Sequence, residues 1–82
     1  MTPVEADISR YIAAGILRVK PTQAPALDRQ LLAERILDSL GLQQLITFIE
    51  AQYDLKIDEE HLVPENFESI PAIAALVEQL RA

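Results

Sequence analysis

The chain has no cysteine and no tryptophan, only two glycines, and a single histidine among its 82 residues. Without cysteine there is no disulfide framework, no thiolate metal site and no cysteine nucleophile. Only four residues are aromatic, too few for the cross-strand ladders of a β-sheet domain. No apolar run approaches the length of a transmembrane helix. Met1 to Asp7 lacks the basic start of a signal peptide, so a soluble, cytoplasmic protein is expected. Catalytic equipment is sparse as well. His61 lies in an acidic loop, where a solvated side chain is expected, and nothing in the sequence brings it to a nucleophile. No serine sits in a Gly-x-Ser-x-Gly elbow, and Lys20 and Lys56 are the only lysines. Asp58-Glu59-Glu60-His61 offers ligand types without a recognised metal-loop spacing and reads as a solvated turn. These absences argue against an enzyme in its own right and against a metal protein.

Half of the residues are apolar, with Leu, Ile and Ala dominant, which excludes disorder and favours helices. The length fits one small domain spanning residues 1–82 with a modest core. The net charge of −6 is unevenly spread: residues 1–36 carry a net +1 and residues 50–68 a net −6. An acidic lobe repels the nucleic acid backbone and attracts basic protein surfaces, so no nucleic acid partner is expected. The same charges also serve as a solvated face that keeps a small domain soluble.

Thr2-Pro3-Val4-Glu5 combines a capping threonine, proline at the first helical position and a capping-box glutamate. Val4, Ile8, Tyr11, Ile12, Ile16 and Val19 then recur at helical spacing, with Gly15 as a weak point. Pro21 and Pro25 end that helix and open a long connection whose Leu27, Leu31, Leu32, Ile36 and Leu37 should lie buried across the molecule. A second helix is expected from Ser39 to Tyr53, with Leu42, Leu45, Ile46, Ile49 and Tyr53 inward and Leu40, Gln44, Thr47 and Ala51 outward. Propensity alone also permits one continuous helix from Asp28 to Tyr53. Leu55, Ile57, Leu62 and Val63 read as apolar plugs in the next linker, and Pro64 to Phe67 as one helical turn. Ser69 caps a last helix that tolerates Pro71 in its first turn and turns Ile70, Ile73, Leu76, Val77 and Leu80 inward. The expected fold is all-α, a small four-helix bundle of three main helices and one short one, with a long first loop.

Leu37-Asp38-Ser39-Leu40 heads the second helix. Asp38 is a good cap, which puts Ser39 at the first helical position with its hydroxyl toward solvent. Backbone N–H groups there lack intrahelical partners, and the helix dipole favours a negative group. Ser39 has no base to make it a nucleophile, yet it is well placed as an attachment point for a phosphate-linked arm. Such an arm raises the effective concentration of whatever it carries.

The approach from Asp28 through Leu31-Leu32 to Asp38-Ser39-Leu40 resembles that of the acyl carrier protein family to its modified serine. Leu45, Ile46 and Ile49, the exit Tyr53-Asp54-Leu55-Lys56-Ile57, and Phe67-Glu68-Ser69-Ile70 followed by Ala72-Ile73 resemble later parts of that family. The resemblance implies a free-standing, monomeric carrier-protein domain and a phosphopantetheinyl transferase that attaches 4'-phosphopantetheine from coenzyme A to Ser39, flanked by Asp38 and Leu40. It implies an acyl or aminoacyl thioester, a loading ligase, and a downstream transferase or synthase docking on Leu40, Gln43, Gln44 and Thr47. Three departures stand out. Arg35 occupies a position where the family usually has glycine. Gly41 and Gln44 replace the acidic residues of fatty acid carriers, which argues against docking on a strongly basic partner. Ile36-Leu37 is not the Gly-Gly pair of peptidyl carriers. The motif looks closer to D-alanyl carriers and to carriers of specialised pathways. A helical interaction module that uses the acidic lobe and bears no prosthetic group is the other reading.

Overall fold

The computed structural model describes residues 1–82. Its first helix, α1, spans Pro3–Tyr11 and begins with a complete capping box. The Thr2 hydroxyl accepts the Glu5 N–H at 3.1 Å, and the Glu5 carboxylate accepts the Thr2 N–H at 2.7 Å. The helix then widens into a π-helical stretch, Ile12–Leu17, closed by Arg18 in the left-handed region. Val19 therefore falls outside the helix that its spacing suggested. Gly15 sits in this wide turn. A Cβ there would lie 2.8 Å from Tyr11 Cε1, so its missing side chain makes room for the Tyr11 ring. Tyr11 in turn stacks on Phe48, with centroids 4.3 Å apart and planes inclined by 11°.

After a 3-10 turn at Pro21–Gln23, the connection crosses the bundle and buries Leu31 and Leu37, with Leu27, Leu32 and Ile36 half-buried. The Leu31 N–H donates to the Glu68 carbonyl at 2.7 Å, which pins the connection to the start of the last helix. Arg29 Nε donates to Glu34 Oε1 at 2.6 Å and the Gln30 N–H donates to Glu34 Oε2 at 3.0 Å. These bonds, the arginine's first, hold the Glu34 carboxyl below the usual carboxylate range.

A continuous helix from Asp28 does not form. The Ile36 N–H reaches back to the Leu31 carbonyl at 2.9 Å and the Arg35 N–H to the Leu32 carbonyl at 3.1 Å, the pairing that closes a helical turn around a left-handed residue. Arg35 is that residue, with φ 59°. An L-residue with a Cβ there costs about 1 kcal/mol where glycine would be at ease. The turn is thus kept although the usual glycine is not.

Helix α2 spans Ser39–Tyr53, as the Asp38 cap and the apolar spacing predicted, and ends at Asp54 in the left-handed region. Helix α3 is the single turn Pro64–Phe67, and α4 spans Ile70–Arg81 with the Ser69 hydroxyl accepting the Ala72 N–H at 3.2 Å. Helices α1, α2 and α4 pack on one another, and α3 lies against α4. Their shared core contains Ile8 and Ile12, Leu45 and Ile49, Phe67, and Ile70, Ile73 and Val77, all essentially without exposed surface. Burying one such side chain contributes about 1.5–3 kcal/mol. No helix is long and apolar enough to cross a membrane.

Two apolar expectations are corrected. Leu62 and Val63 are not plugs but exposed, 46% and 37%. The preceding 3-10 turn, Glu59–His61, directs the chain along the surface before α3. On α2 the deepest row is Gly41, Leu45 and Ile49, while Leu42, Ile46 and Tyr53 are only half-buried. Gly41 belongs to that row because α2 runs close to the first helix: a Cβ there would be 3.3 Å from Ile16 Cγ2.

Candidate functional site

Asp38 is extended and caps α2, its Oδ1 accepting the Gly41 N–H at 2.7 Å. The Leu42 N–H bonds the Asp38 carbonyl at 2.8 Å. Ser39 is thereby held at the first helical position, exposed. The N–H groups of Ser39 and Leu40 make no hydrogen bond within the chain and face outward with the positive end of the helix dipole.

Ser39 and Asp38 line an open groove of about 470 Å³ whose other walls are Leu32, Ala33, Arg35, Leu37 and Leu42. The walls come from the end of the long connection and the first turn of α2. The Leu31 to Glu68 bond that pins the connection therefore also shapes this groove.

The sequence-predicted docking residues share one surface. Leu40 is 66% exposed, and Gln43, Gln44 and Thr47 are exposed beside it. Together with Tyr11, Gly15, Phe48 and Ala51 they line a shallow depression without a single charged residue. The Thr47 hydroxyl donates to the Gln43 carbonyl at 3.1 Å, leaving the amides of Gln43 and Gln44 free of internal partners. Tyr11 and Phe48 pack against the core and also border this surface, a role that helical spacing alone does not reveal. Gln43 also borders a second, more enclosed and mainly apolar pocket of about 270 Å³ between α2 and α3, formed with Leu32, Leu42, Ile46, Leu62, Val63, Pro64 and Phe67. The exposed Leu62 and Val63 have their place here, on the rim of that pocket.

His61 departs from its expectation. Its side chain is only 17% exposed, with Nδ1 buried and unpartnered and Nε2 3.9 Å from a Glu60 carboxylate oxygen. The Asn66 amide donates to the His61 carbonyl at 2.8 Å, which folds this turn back on the segment before α3. Ligand atoms of Asp58, Glu60 and His61 come within 4.8 Å of one another. None of the three lines the groove at Ser39. Arg35 does, and sequence reasoning marked it only as a departure at a glycine position.

No protein-family model matches the chain, and no curated protein does either. Among solved structures, one described as KstB-PCP(apo), a peptidyl carrier protein in its apo form, is similar. The two share 29% identity and superpose with a TM-score of 0.76, covering 90% of this chain and 81% of that one. With a capped, exposed serine at the head of α2 and a long connection pinned across the bundle, the chain has a carrier-protein-like fold similar to that peptidyl carrier protein.

Proposed function

We propose that the chain acts as one carrier domain that holds an acyl or aminoacyl group as a thioester on 4'-phosphopantetheine attached to Ser39. The observation that carries this reading is the position of Ser39 itself. It is exposed at the first position of α2, capped by Asp38, beside two unpartnered N–H groups. Attachment forms one bond between the Ser39 Oγ and the phosphorus of the phosphopantetheine, breaks the pyrophosphate bond of coenzyme A, and releases the nucleotide bisphosphate. The serine proton leaves to a base of the transferase. When bound, the group supplies the thiol on which a thioester forms. The chain's own residues hold the attachment point, keep it solvent-accessible and offer a surface for partners.

Partners proposed for the chain are a phosphopantetheinyl transferase, a loading ligase and a downstream transferase or synthase. The uncharged depression around Leu40, Gln43, Gln44 and Thr47 supports docking through shape and amide hydrogen bonds, not through ion pairs.

Intact mass before and after incubation with coenzyme A and a broad-specificity phosphopantetheinyl transferase tests the reading. The expected result is a gain of one phosphopantetheine, mapped to Ser39 and absent from a folded Ser39→Ala variant. Loading of that variant would overturn the site. No loading of folded wild-type protein would overturn the function. The acidic-module reading rests on the exposed Asp54, Asp58, Glu59, Glu60, Glu65 and Glu68. It would then gain weight, with salt-sensitive binding to a basic partner as its signature.

A further inference from the structure

Arg35 is in the left-handed region, where glycine carries no backbone penalty, and its side chain lines the groove that also contains Asp38 and Ser39. Arg10, Arg29 and Arg81 are each paired with a carboxylate, whereas the Arg35 guanidinium has no ion pair and no hydrogen bond. Glu34, its neighbour in sequence, is occupied by Arg29 and the Gln30 N–H.

The charge balance at the head of α2 gives this free cation a task. A phosphodiester on Ser39 would add a second anion next to the Asp38 carboxylate. The N–H nearest to hand, that of Gly41, is already taken by Asp38. The remaining N–H groups of Ser39 and Leu40 are partial charges at most. A guanidinium in the same groove would offset the repulsion between the two anions, and its planar fork suits phosphate oxygens.

We infer that Arg35 is a positioning residue for the arm, pairing with the phosphodiester carried on Ser39. The inference rests on the proposed attachment at Ser39. It assigns to this chain's own arginine a contact that a glycine at the same place could not make.

A thermodynamic cycle tests it, with apo and pre-loaded holo protein as one axis and Arg35→Gln as the other. Unfolding equilibria are measured in urea without any partner enzyme present. The holo-to-apo ratio of folding constants should fall by about threefold on Arg35→Gln at low salt, the size of one solvent-accessible ion pair. That loss should vanish in 0.5 M NaCl and be largely rescued by Arg35→Lys. In the holo protein the phosphodiester ³¹P resonance should move on Arg35→Gln and return toward its place with lysine. Arg35→Gly, which relieves the backbone, should show the same loss of coupling although the protein itself becomes more stable. An unchanged ratio and an unchanged ³¹P resonance in a loaded protein would overturn the inference and leave the attachment reading intact. Failure of wild-type protein to load at all would overturn both.

Discussion

Asp38 Oδ1 accepts the Gly41 N–H at 2.7 Å, and Ser39 stands between the two residues that this bond joins. The bond starts the helix and fixes the serine at its first position. Asp38→Ala should therefore cost about 1 kcal/mol of stability, the usual worth of a helix cap. Asp38→Asn, which keeps the acceptor, should lose much less. Urea unfolding of the apo protein checks both, and equal losses would show that charge matters here more than the cap.

The left-handed Arg35 predicts a gain. Arg35→Gly should raise stability by about 1 kcal/mol, because glycine adopts φ near +60° without Cβ strain. Part of the gain is offset by the greater freedom of glycine in the unfolded chain. In a domain of this size the melting temperature should rise by roughly 4–8 °C per kcal/mol. A fall would mean that the arginine side chain holds the turn by contacts that outweigh its strain.

Tyr53 ties the end of α2 to the middle of α1. Its hydroxyl donates to Asp7 Oδ2 at 2.7 Å across 46 residues of sequence, and the Arg81 guanidinium lies 5.3 Å from its ring centroid. Burial first, then the bond to Asp7 and the charge of Asp7, push the phenol from 10.0 up to about 12. The protonated phenol is thus the form the fold favours. Its contribution is complete below pH 10 and is lost as pH rises from 10 toward 12. Ultraviolet titration should show one tyrosine ionising near pH 12, and Asp7→Asn should bring it down. Tyr53→Phe should cost about 1 kcal/mol at neutral pH and remove this component of the alkaline transition.

Leu31 has no exposed surface although it lies in the long connection and not in a helix. Leu31→Ala should cost about 2–5 kcal/mol, as for a core leucine. Its backbone also anchors the connection to Glu68. Hydrogen exchange should therefore show faster opening of residues 31–37 in this variant. A loss under 1 kcal/mol would mean that the connection is draped over the bundle and contributes little to it.

Gly15 gives a further check on the neutral surface. Gly15→Ala would drive a Cβ to within 2.8 Å of Tyr11 Cε1 and should push that ring off Phe48. Changes in the aromatic proton shifts of Tyr11 and Phe48 would register this. An unchanged stack would show that the wide turn at Ile12–Leu17 can absorb the extra methyl by moving its own backbone.

The helix starts were legible in the sequence because a cap is a local device. Thr2 with Glu5, Asp38 with Gly41, and Ser69 with Ala72 are each contacts three residues apart, so residue type and spacing determine them. The same locality placed Ser39 at the head of α2 before any packing was known. The inner faces of α1 and α4 followed from helical periodicity for a similar reason. Tertiary structure decided the rest. Leu62 and Val63 are as apolar as buried residues, yet both stay exposed on the rim of a pocket. His61, in an acidic loop, is nonetheless mostly covered. The Tyr53 to Asp7 bond spans most of the chain, and the turn at Arg35 forms against its own preference because Leu31 and Leu37 on either side are buried. Burial depends on what approaches from distant parts of the chain, and no local pattern encodes that approach.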